Sequence, residues 1–141
     1  TFSAICAHNP AVRLSIEYKW NDPRTRCLLA SAGEALAFCL AVGAENLDVK
    51  VVLHGNGVAL LLEPDGLEGT KMKEANATDE MQARISGLKD QGVSFNVCAN
   101  TLKGRKVATD DLYDFSDADI VPSGVAELAH LQSQGFTYIK P

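Results

Sequence analysis

The sequence predicts an α/β protein with a mostly parallel sheet that helices cover on both faces. Short apolar segments with the two-residue periodicity of strands alternate along the chain with segments whose apolar residues recur at helical spacing. This alternation is typical of parallel sheets, because parallel neighbours need a long crossover that is usually a helix. A chain of 141 residues, 46% hydrophobic and 22% charged, is long enough to bury one core without disulfides.

The first half of the chain contains two predicted strands around one helix. Residues 13–20 alternate between polar and apolar side chains, and Asn21-Asp22-Pro23 supplies a turn followed by a helix start. Apolar residues then recur at helical spacing as far as Gly43, which ends the pattern. The second strand covers residues 48–54 and runs into a glycine-rich turn at 55–57.

The second half of the chain continues the alternation after an irregular segment. Residues 63–77 are rich in charge and in turn-forming residues, which predicts a mobile loop. Asn76 or Thr78 then caps a helix that ends near Gly92, and residues 93–97 form the third strand. The remaining predicted elements are short helices at 102–106 and from Thr109, a strand at 118–121, a helix from Ser123 to Gly135 and a closing strand at 136–139.

Composition argues against several classes of function. The formal net charge of -5 argues against nucleic-acid binding, which usually needs a basic face. No apolar run approaches the roughly 20 residues needed to span a bilayer, and no secretory signal is visible. We therefore expect no nucleic-acid partner and no membrane partner, and the reduced thiols that the cysteine spacing favours indicate a cytoplasmic location. Because the chain starts at Thr1 rather than Met, a periplasmic location after removal of an upstream segment is the alternative.

The cysteines and histidines do not form a metal-binding pattern. The four cysteines include no C-x-x-C pair and the three histidines are scattered, so we expect no metal and no cofactor. The cysteine spacing also differs from the disulfide frameworks of small secreted proteins, which favours reduced thiols.

Polar residues and glycines follow the predicted strands at the edge where open parallel sheets bind ligands and place catalytic groups. Because parallel strands end at the same edge, these residues can converge without being close in sequence. They are Asn21 after the first strand, His54, Gly55, Asn56 and Gly57 after the second, Cys98, Asn100 and Thr101 after the third, and Ser123 after the fourth.

Cys98, at the end of the third strand, has two interpretations that spacing alone leaves open. A free cysteine at the end of an apolar strand is often an inert, buried thiol. Alternatively, a helix that starts near Thr101 brings backbone N–H groups and the helix dipole close to the sulfur, which stabilises a thiolate. Positive charge follows downstream at Lys103, Arg105 and Lys106.

Two neighbours of Cys98 are candidates for a supporting role. His54 is the predicted base or hydrogen-bond partner of the thiol, and its alternative is a histidine satisfied by backbone near a glycine turn. Asn100 is a candidate orienting group. The sequence Gly55-Asn56-Gly57 suggests a phosphate cradle, although it lacks the longer glycine patterns of nucleotide-binding loops.

Three stretches of the chain resemble the DsrE/DsrF-like superfamily. They are VVLHGNGVALLL (51–62), LKDQGVSFNVCANTL (88–102) and ADIVPSGVAELAHLQSQGFTYIKP (118–141), with V-C-A-N-T-L and V-P-S-G-V-A-E-L-x-x-L-Q-x-x-G as the most specific parts. The small stand-alone DsrE-like proteins are more similar than the subunits of the DsrEFH complex. The likeness divides the chain into an N-terminal extension, 1–12, and a single DsrE-like domain, 13–141.

This resemblance implies a three-layer α/β/α sandwich with a five-stranded, mainly parallel sheet, flavodoxin-like in general architecture and assembled as a homotrimer or hexamer. In sulfur-relay members, a cysteine after a strand carries a persulfide and passes sulfane sulfur to a partner protein. Cys98 matches that cysteine, so the resemblance implies a persulfide carrier with donor and acceptor partners. The apolar run Val58–Leu62 also suggests self-association, because one small sheet is not expected to cover it fully.

Two other functions stay open at the level of sequence. The polar strand ends are consistent with a non-enzymatic oligomeric module that binds a small ligand, such as an anion. The ligand would lie in a cleft at the carboxyl ends of the strands. The residues expected to line this cleft are Asn21, Gly55, Asn56, Gly57, Thr101 and Ser123. The fold class and the acidity also fit a flavodoxin-type electron carrier. A convincing phosphate loop after the first strand is missing, which argues against that carrier.

Overall fold

A parallel sheet organises the chain in the computed structural model, which describes residues 12–17, 47–134 and 136–139. The strand order is β4-β3-β2-β1-β5, and every neighbouring pair is parallel. The α/β class with a parallel sheet and helices is therefore confirmed. The elements are β1 (Val12–Glu17), β2 (Leu47–Leu53), α1 (Asp79–Asp90), β3 (Ser94–Cys98), α2 (Ala99–Arg105), β4 (Ile120–Val121), α3 (Gly124–Ser133) and β5 (Thr137–Ile139).

The predicted first helix lies outside the described residues, and so does Asn21. In the described part, helix starts follow the capping residues of the sequence. Thr78 caps α1, because its side chain accepts a hydrogen bond from the Met81 N–H group, and Asp79 and Glu80 occupy the first turn, where the helix dipole favours acidic groups. Thr78 is thus the cap, rather than Asn76.

Helices α1 and α3 pack on opposite faces of the sheet. Alternate residues of β2 point to opposite faces, since side chains along a strand have a period of two. Val51 and Leu53 belong to the larger core cluster, which contains Ile85 and Leu88 of α1. Val52 belongs to a second cluster together with Leu128 and Leu131 of α3 and with Phe136.

The apolar run Val58–Leu62 is covered by the chain itself. Gly55–Leu60 forms a 3-10 helix, and every side chain from Val58 to Leu62 is 0% or 1% exposed. The expectation that the sheet would leave this run partly uncovered is wrong, because it packs in the same core cluster as β2 and α1. The run therefore gives no argument for self-association.

The segment 63–77 is irregular, as predicted, but it is held against the domain at several points. The Asn76 N–H group donates to the carbonyl oxygen of Ala59 at 2.8 Å, and the Lys71 N–H group donates to the carbonyl oxygen of Arg105 at 2.8 Å. Met72 is buried between these two anchors. The segment is therefore part of the packed structure on the side of α2.

A short antiparallel contact joins this segment to the turn after α2. Leu62 and Leu112 form an isolated bridge, and the Glu63 N–H group donates to the carbonyl oxygen of Asp111 at 2.9 Å. Gly66 lies so close to this turn that a Cβ atom there would lie 2.4 Å from Cβ of Asp111. A side chain at this position therefore requires the turn to move.

Gly66→Ala is expected to lower the free energy of unfolding by roughly 1–3 kcal/mol, because overpacking displaces the Asp111 turn. Gly87→Ala is the matched control, since Gly87 lies in α1 with nothing within 4 Å of the added Cβ atom. That change is expected to raise the free energy of unfolding by about 0.5–1 kcal/mol. Urea denaturation of both variants measures the difference, and equal effects of the same sign would contradict the packing described here.

Candidate functional site

Cys98 occupies the junction between β3 and α2. It is the last residue of the strand and the N-cap of the helix, with extended backbone angles (φ -71°, ψ 116°). Phe95 and Val97 point into the core cluster on the α1 side, so Asn96 and Cys98 point to the α3 side. The cysteine is a free thiol and is 5% exposed.

Thr101, one turn into α2, links the thiol to the loop after β2. Its Oγ1 atom accepts a hydrogen bond from the Gly55 N–H group at 2.9 Å. Its side chain also hydrogen-bonds the sulfur of Cys98. Because the oxygen accepts from Gly55, the hydroxyl hydrogen is left to donate to the sulfur. One hydroxyl thus connects the ends of two neighbouring strands.

Gly124 brings the turn after β4 into the same site. It is the first residue of α3, where helix N–H groups have no partner within the helix, and its N–H group hydrogen-bonds Cys98. A Cβ atom on Gly124 would lie 2.8 Å from Cβ and 3.1 Å from Cγ of His54. Glycine at this position therefore permits both the contact with His54 and the approach to the thiol.

The surroundings of Cys98 favour its thiolate. Burial alone raises the pKa of the thiol, because it disfavours the charged form. Hydrogen bonding from the Thr101 side chain and from the backbone N–H groups of Gly124, Thr101 and Asn100 acts in the opposite direction. The net result is a pKa below the usual value for cysteine, which increases the fraction of nucleophilic thiolate.

The structure brings several of the residues predicted from the sequence together. Cys98, Thr101 and Gly55 are joined by hydrogen bonds, and His54 contacts Gly124, which in turn contacts the thiol. His54 is half-buried, and its role as a base or hydrogen-bond partner of Cys98 stays a prediction.

Other predicted residues take different positions. Asn100 has an exposed side chain, and its backbone N–H group, not its amide side chain, acts on the thiol. Asn56 is exposed, and the Gly57 N–H group donates to the carbonyl oxygen of His54 at 3.0 Å. Since the Gly55 amide is also engaged, neither glycine N–H group is free to cradle a phosphate. Ser123 caps α3 by accepting from the Ala126 N–H group at 3.4 Å.

Gly124 is the site residue that sequence reasoning missed. The signal was a glycine at the first position of a predicted helix, directly after the capping residue Ser123. Glycine is a poor helix former, so its presence there suggests a close approach by another group. Without the strand order, nothing in the sequence indicates that the approaching groups are His54 and Cys98.

The part of the chain that the structure describes contains neither a cluster of metal ligands nor a helix that could span a membrane. Its histidine, cysteine and acidic side chains form no group of three that could hold a metal ion. None of its helices combines the length and apolar character needed to cross a membrane.

The sequence model of the DsrE/DsrF-like family matches residues 29–141, which include the thiol and the described groups that hydrogen-bond it. The chain belongs to the DsrE/DsrF-like family. A solved structure from Methanobacterium thermoautotrophicum, described as the protein of unknown function MTH1491, has 27% sequence identity and a TM-score of 0.67, with 92% of this chain and 99% of that chain covered.

A second DsrE-like structure, the ychN protein from E. coli, has 18% identity and a TM-score of 0.55, again covering 92% of this chain and 99% of that chain. At this identity the likeness concerns the fold alone. No curated protein matches the chain. Family membership and fold are therefore established, and the activity has to be argued from the site.

Thr101→Val is expected to raise the pKa of Cys98, because the hydroxyl that favours the thiolate is lost. The profile of Cys98 alkylation rate against pH then shifts to higher pH, as followed by site-resolved mass spectrometry. The variant also leaves the Gly55 N–H group unpaired, which should cost roughly 1–3 kcal/mol of folding free energy. Thr101→Ser keeps the hydroxyl and should keep the parent profile; a shift of equal size in both variants would argue against the hydrogen bond.

Gly124→Ala should also raise the pKa of Cys98, since the new methyl group meets His54 and moves the Gly124 N–H group away from the sulfur. The free energy of unfolding should fall by roughly 1–3 kcal/mol from overpacking. Gly104→Ala, at a position of α2 with open space around the added Cβ atom, is the control. The same alkylation profile in the parent and Gly124→Ala would contradict the proposed position of this amide.

Proposed function

We propose that this protein is a sulfur-relay protein that carries sulfane sulfur as a persulfide on Cys98 and passes it to a partner thiol. The observation that supports this most strongly is the thiol at the β3–α2 junction, whose pKa is lowered by Thr101 and by backbone N–H groups from two helix starts. Membership of the DsrE/DsrF-like family, which is broadly linked to sulfur relay, is consistent with this chemistry.

Loading requires no oxidant and no metal. The Cys98 thiolate attacks the outer sulfur of a donor persulfide, R–S–S–H. A new S–S bond forms on Cys98, the donor S–S bond breaks, and the donor leaves as the thiolate R–S⁻. Atoms, charge and oxidation level balance, since one persulfide is consumed and one is made.

Unloading is the same exchange in the opposite sense. An acceptor thiolate attacks the outer sulfur, and Cys98 leaves as the thiolate. The hydrogen bonds that lower the pKa of Cys98 make it a better leaving group in this step, although a lower pKa also reduces its intrinsic nucleophilicity. A thiolate stabilised in this way suits a carrier, which must both accept sulfur and release it.

Burial of the thiol is compatible with this role. With 5% of its surface exposed, Cys98 is protected from the larger reagents that oxidise or alkylate exposed thiols. A second sulfur adds about 2 Å to the side chain, the length of an S–S bond. The acceptor thiolate has to reach this outer sulfur, not the buried Cys98 sulfur itself.

We also propose the three-layer architecture and the oligomeric state that the family resemblance implies. A three-layer sandwich around a five-stranded sheet is supported by α1 and α3, which pack on opposite faces, and by the strand order described above. Assembly as a homotrimer or hexamer rests on the family alone, in which oligomers are common. A cytoplasmic setting suits the chemistry, because it keeps donor and acceptor thiols reduced.

The direct test is incubation of the purified protein with a small persulfide such as cysteine persulfide, followed by intact-mass measurement and peptide mapping. We expect a mass increase of one sulfur atom on the peptide that carries Cys98. Cys98→Ser should abolish that adduct while leaving any adducts on the three other cysteines. An adduct profile that does not differ between the parent protein and Cys98→Ser would rule out the assignment.

A transfer step distinguishes a carrier from a thiol that is merely modified. The loaded protein, freed of donor, should return to its original mass when a small thiol is added, and the sulfur should appear as a persulfide of that thiol. A persulfide on Cys98 that no thiol removes would falsify the relay.

A further inference from the structure

Five cations lie on two segments that are joined at the end of α2, and we call them the basic surface: Lys71, Lys73, Lys103, Arg105 and Lys106. The Lys71 N–H group donates to the carbonyl oxygen of Arg105 at 2.8 Å, and Nη1 of Arg105 donates back to the carbonyl oxygen of Lys71 at 3.4 Å. Two segments that lie far apart in sequence thus bring their positive charges together. The four lysines are exposed and Arg105 is half-buried.

Among the residues that the structure describes, no acidic side chain forms an ion pair with the basic surface. In residues 47–134, the ion pairs are Arg84 with Glu80 and Lys89 with Asp114, and both lie outside this cluster. Glu68, Glu74 and Asp110 are near the cluster in sequence, yet none forms an ion pair with it. Five cations against these three carboxylates still leave this part of the chain positive, whereas the net charge of the chain is -5.

The basic surface and the thiol lie at opposite ends of the short helix α2, because the helix starts immediately after Cys98 and ends at Arg105. Lys103 follows Cys98 by five residues, which is about 7.5 Å along a helix axis at a rise of 1.5 Å per residue. The Debye length at physiological ionic strength is about 8 Å, so charge at this separation still acts on a group that approaches the thiol.

We propose that the basic surface docks an acidic segment next to the exchanging cysteine of the sulfur donor or acceptor protein. This inference rests on the proposed relay function and adds the chemistry of its partner. Five cations on a compact surface match a short run of carboxylates. A long polyanion such as nucleic acid would instead face repulsion from the acidic remainder of the chain.

Docking leaves the chemistry of the exchange unchanged. The acceptor thiolate attacks the outer sulfur of the Cys98 persulfide, the bond between the two sulfurs breaks, and Cys98 leaves as a thiolate. The basic surface raises the encounter rate and holds the acidic segment while its cysteine reaches the sulfur. Its effect therefore appears in the rate of transfer between partners and decreases as salt is added.

The test uses two synthetic acceptor peptides, one with a single cysteine flanked by glutamates and one with the same cysteine flanked by serines. The full-length protein is loaded with cysteine persulfide, the donor is removed, and persulfide formation on each peptide is followed by mass spectrometry. Each transfer rate is divided by the fraction of that peptide's cysteine that is present as thiolate, because the flanking charges change the pKa of the cysteine. At low salt we expect the acidic peptide to react about tenfold faster or more, which is the usual lower range for electrostatic steering.

Charge-reversal variants locate the effect. Lys103→Glu and Lys71→Glu should each remove most of the preference for the acidic peptide, since both side chains are exposed and form no ion pair with another described residue. Arg84→Glu is the matched control, because it changes the net charge equally on another helix, and it should keep most of the preference. Transfer to the serine peptide should change much less than transfer to the acidic peptide in the two lysine variants.

The outcomes separate this inference from the relay function on which it rests. Equal rates for the two peptides, or a preference that survives Lys103→Glu and Lys71→Glu, would overturn the docking proposal while sulfur transfer to the serine peptide still supports the relay. Stronger inhibition by a short single-stranded DNA than by a glutamate peptide of equal charge would overturn the assignment of an acidic protein partner. Failure of loading itself would instead count against the relay.

Discussion

The hydroxyl of Thr101 is the contact on which the arrangement of the site depends. It satisfies the Gly55 amide after β2 and, through its hydrogen, acts on the thiol after β3. The parallel register brings these groups together. Leu53 of β2 is opposite Val97 of β3, and both strands end within the next residue. Gly55 has a positive φ of 56°, a backbone conformation that glycine adopts more easily than other residues. Gly55 therefore helps to orient the hydroxyl of Thr101.

Gly124 brings the end of a third strand, β4, to the site. Cys98 lies opposite Val121 in the β3–β4 pair, and the turn through Ser123 starts α3 immediately above the sulfur. Neighbouring strands of a sheet are about 4.8 Å apart, so the groups after three adjacent strands can contact one another without long side chains. This is why the site consists mainly of backbone N–H groups and one small hydroxyl. Such donors are fixed by the fold and need little rearrangement when charge develops on sulfur.

Much of this fold could be predicted from the sequence, because local chemistry decides it. The described strands fall where apolar runs predict them, and Thr78 and Ser123 both cap helices as their side chains allow. The sequence predicts that α2 starts at residue 102, whereas the helix starts at Ala99. Polar Asn100 and Thr101 suggest a turn, yet polar residues also occur in the first turn of a helix, where N–H groups lack partners.

The details of the site depend on contacts between distant parts of the chain, and a single sequence does not show them. The place of Cys98 after an apolar strand made it a candidate reacting group, and the family resemblance favoured that interpretation over an inert thiol. The bond between Gly55 and Thr101 joins residues 46 positions apart, and it needs the strand register before it can be inferred. The coverage of Val58–Leu62 likewise depends on tertiary packing, which is why the expectation of an uncovered apolar run was wrong.

Within the described residues, the two edges of the sheet are formed by its shortest strands. Strand β4 has two residues and β5 has three, and each pairs with one described strand. An edge strand can recruit another chain through its unpaired N–H and C=O groups, and very short edges are one way in which proteins prevent this. Extension of the sheet from one molecule to the next would find only a few backbone groups to pair with. Contacts with other proteins are thus directed to helices and loops, where side-chain charge and shape decide which partner fits.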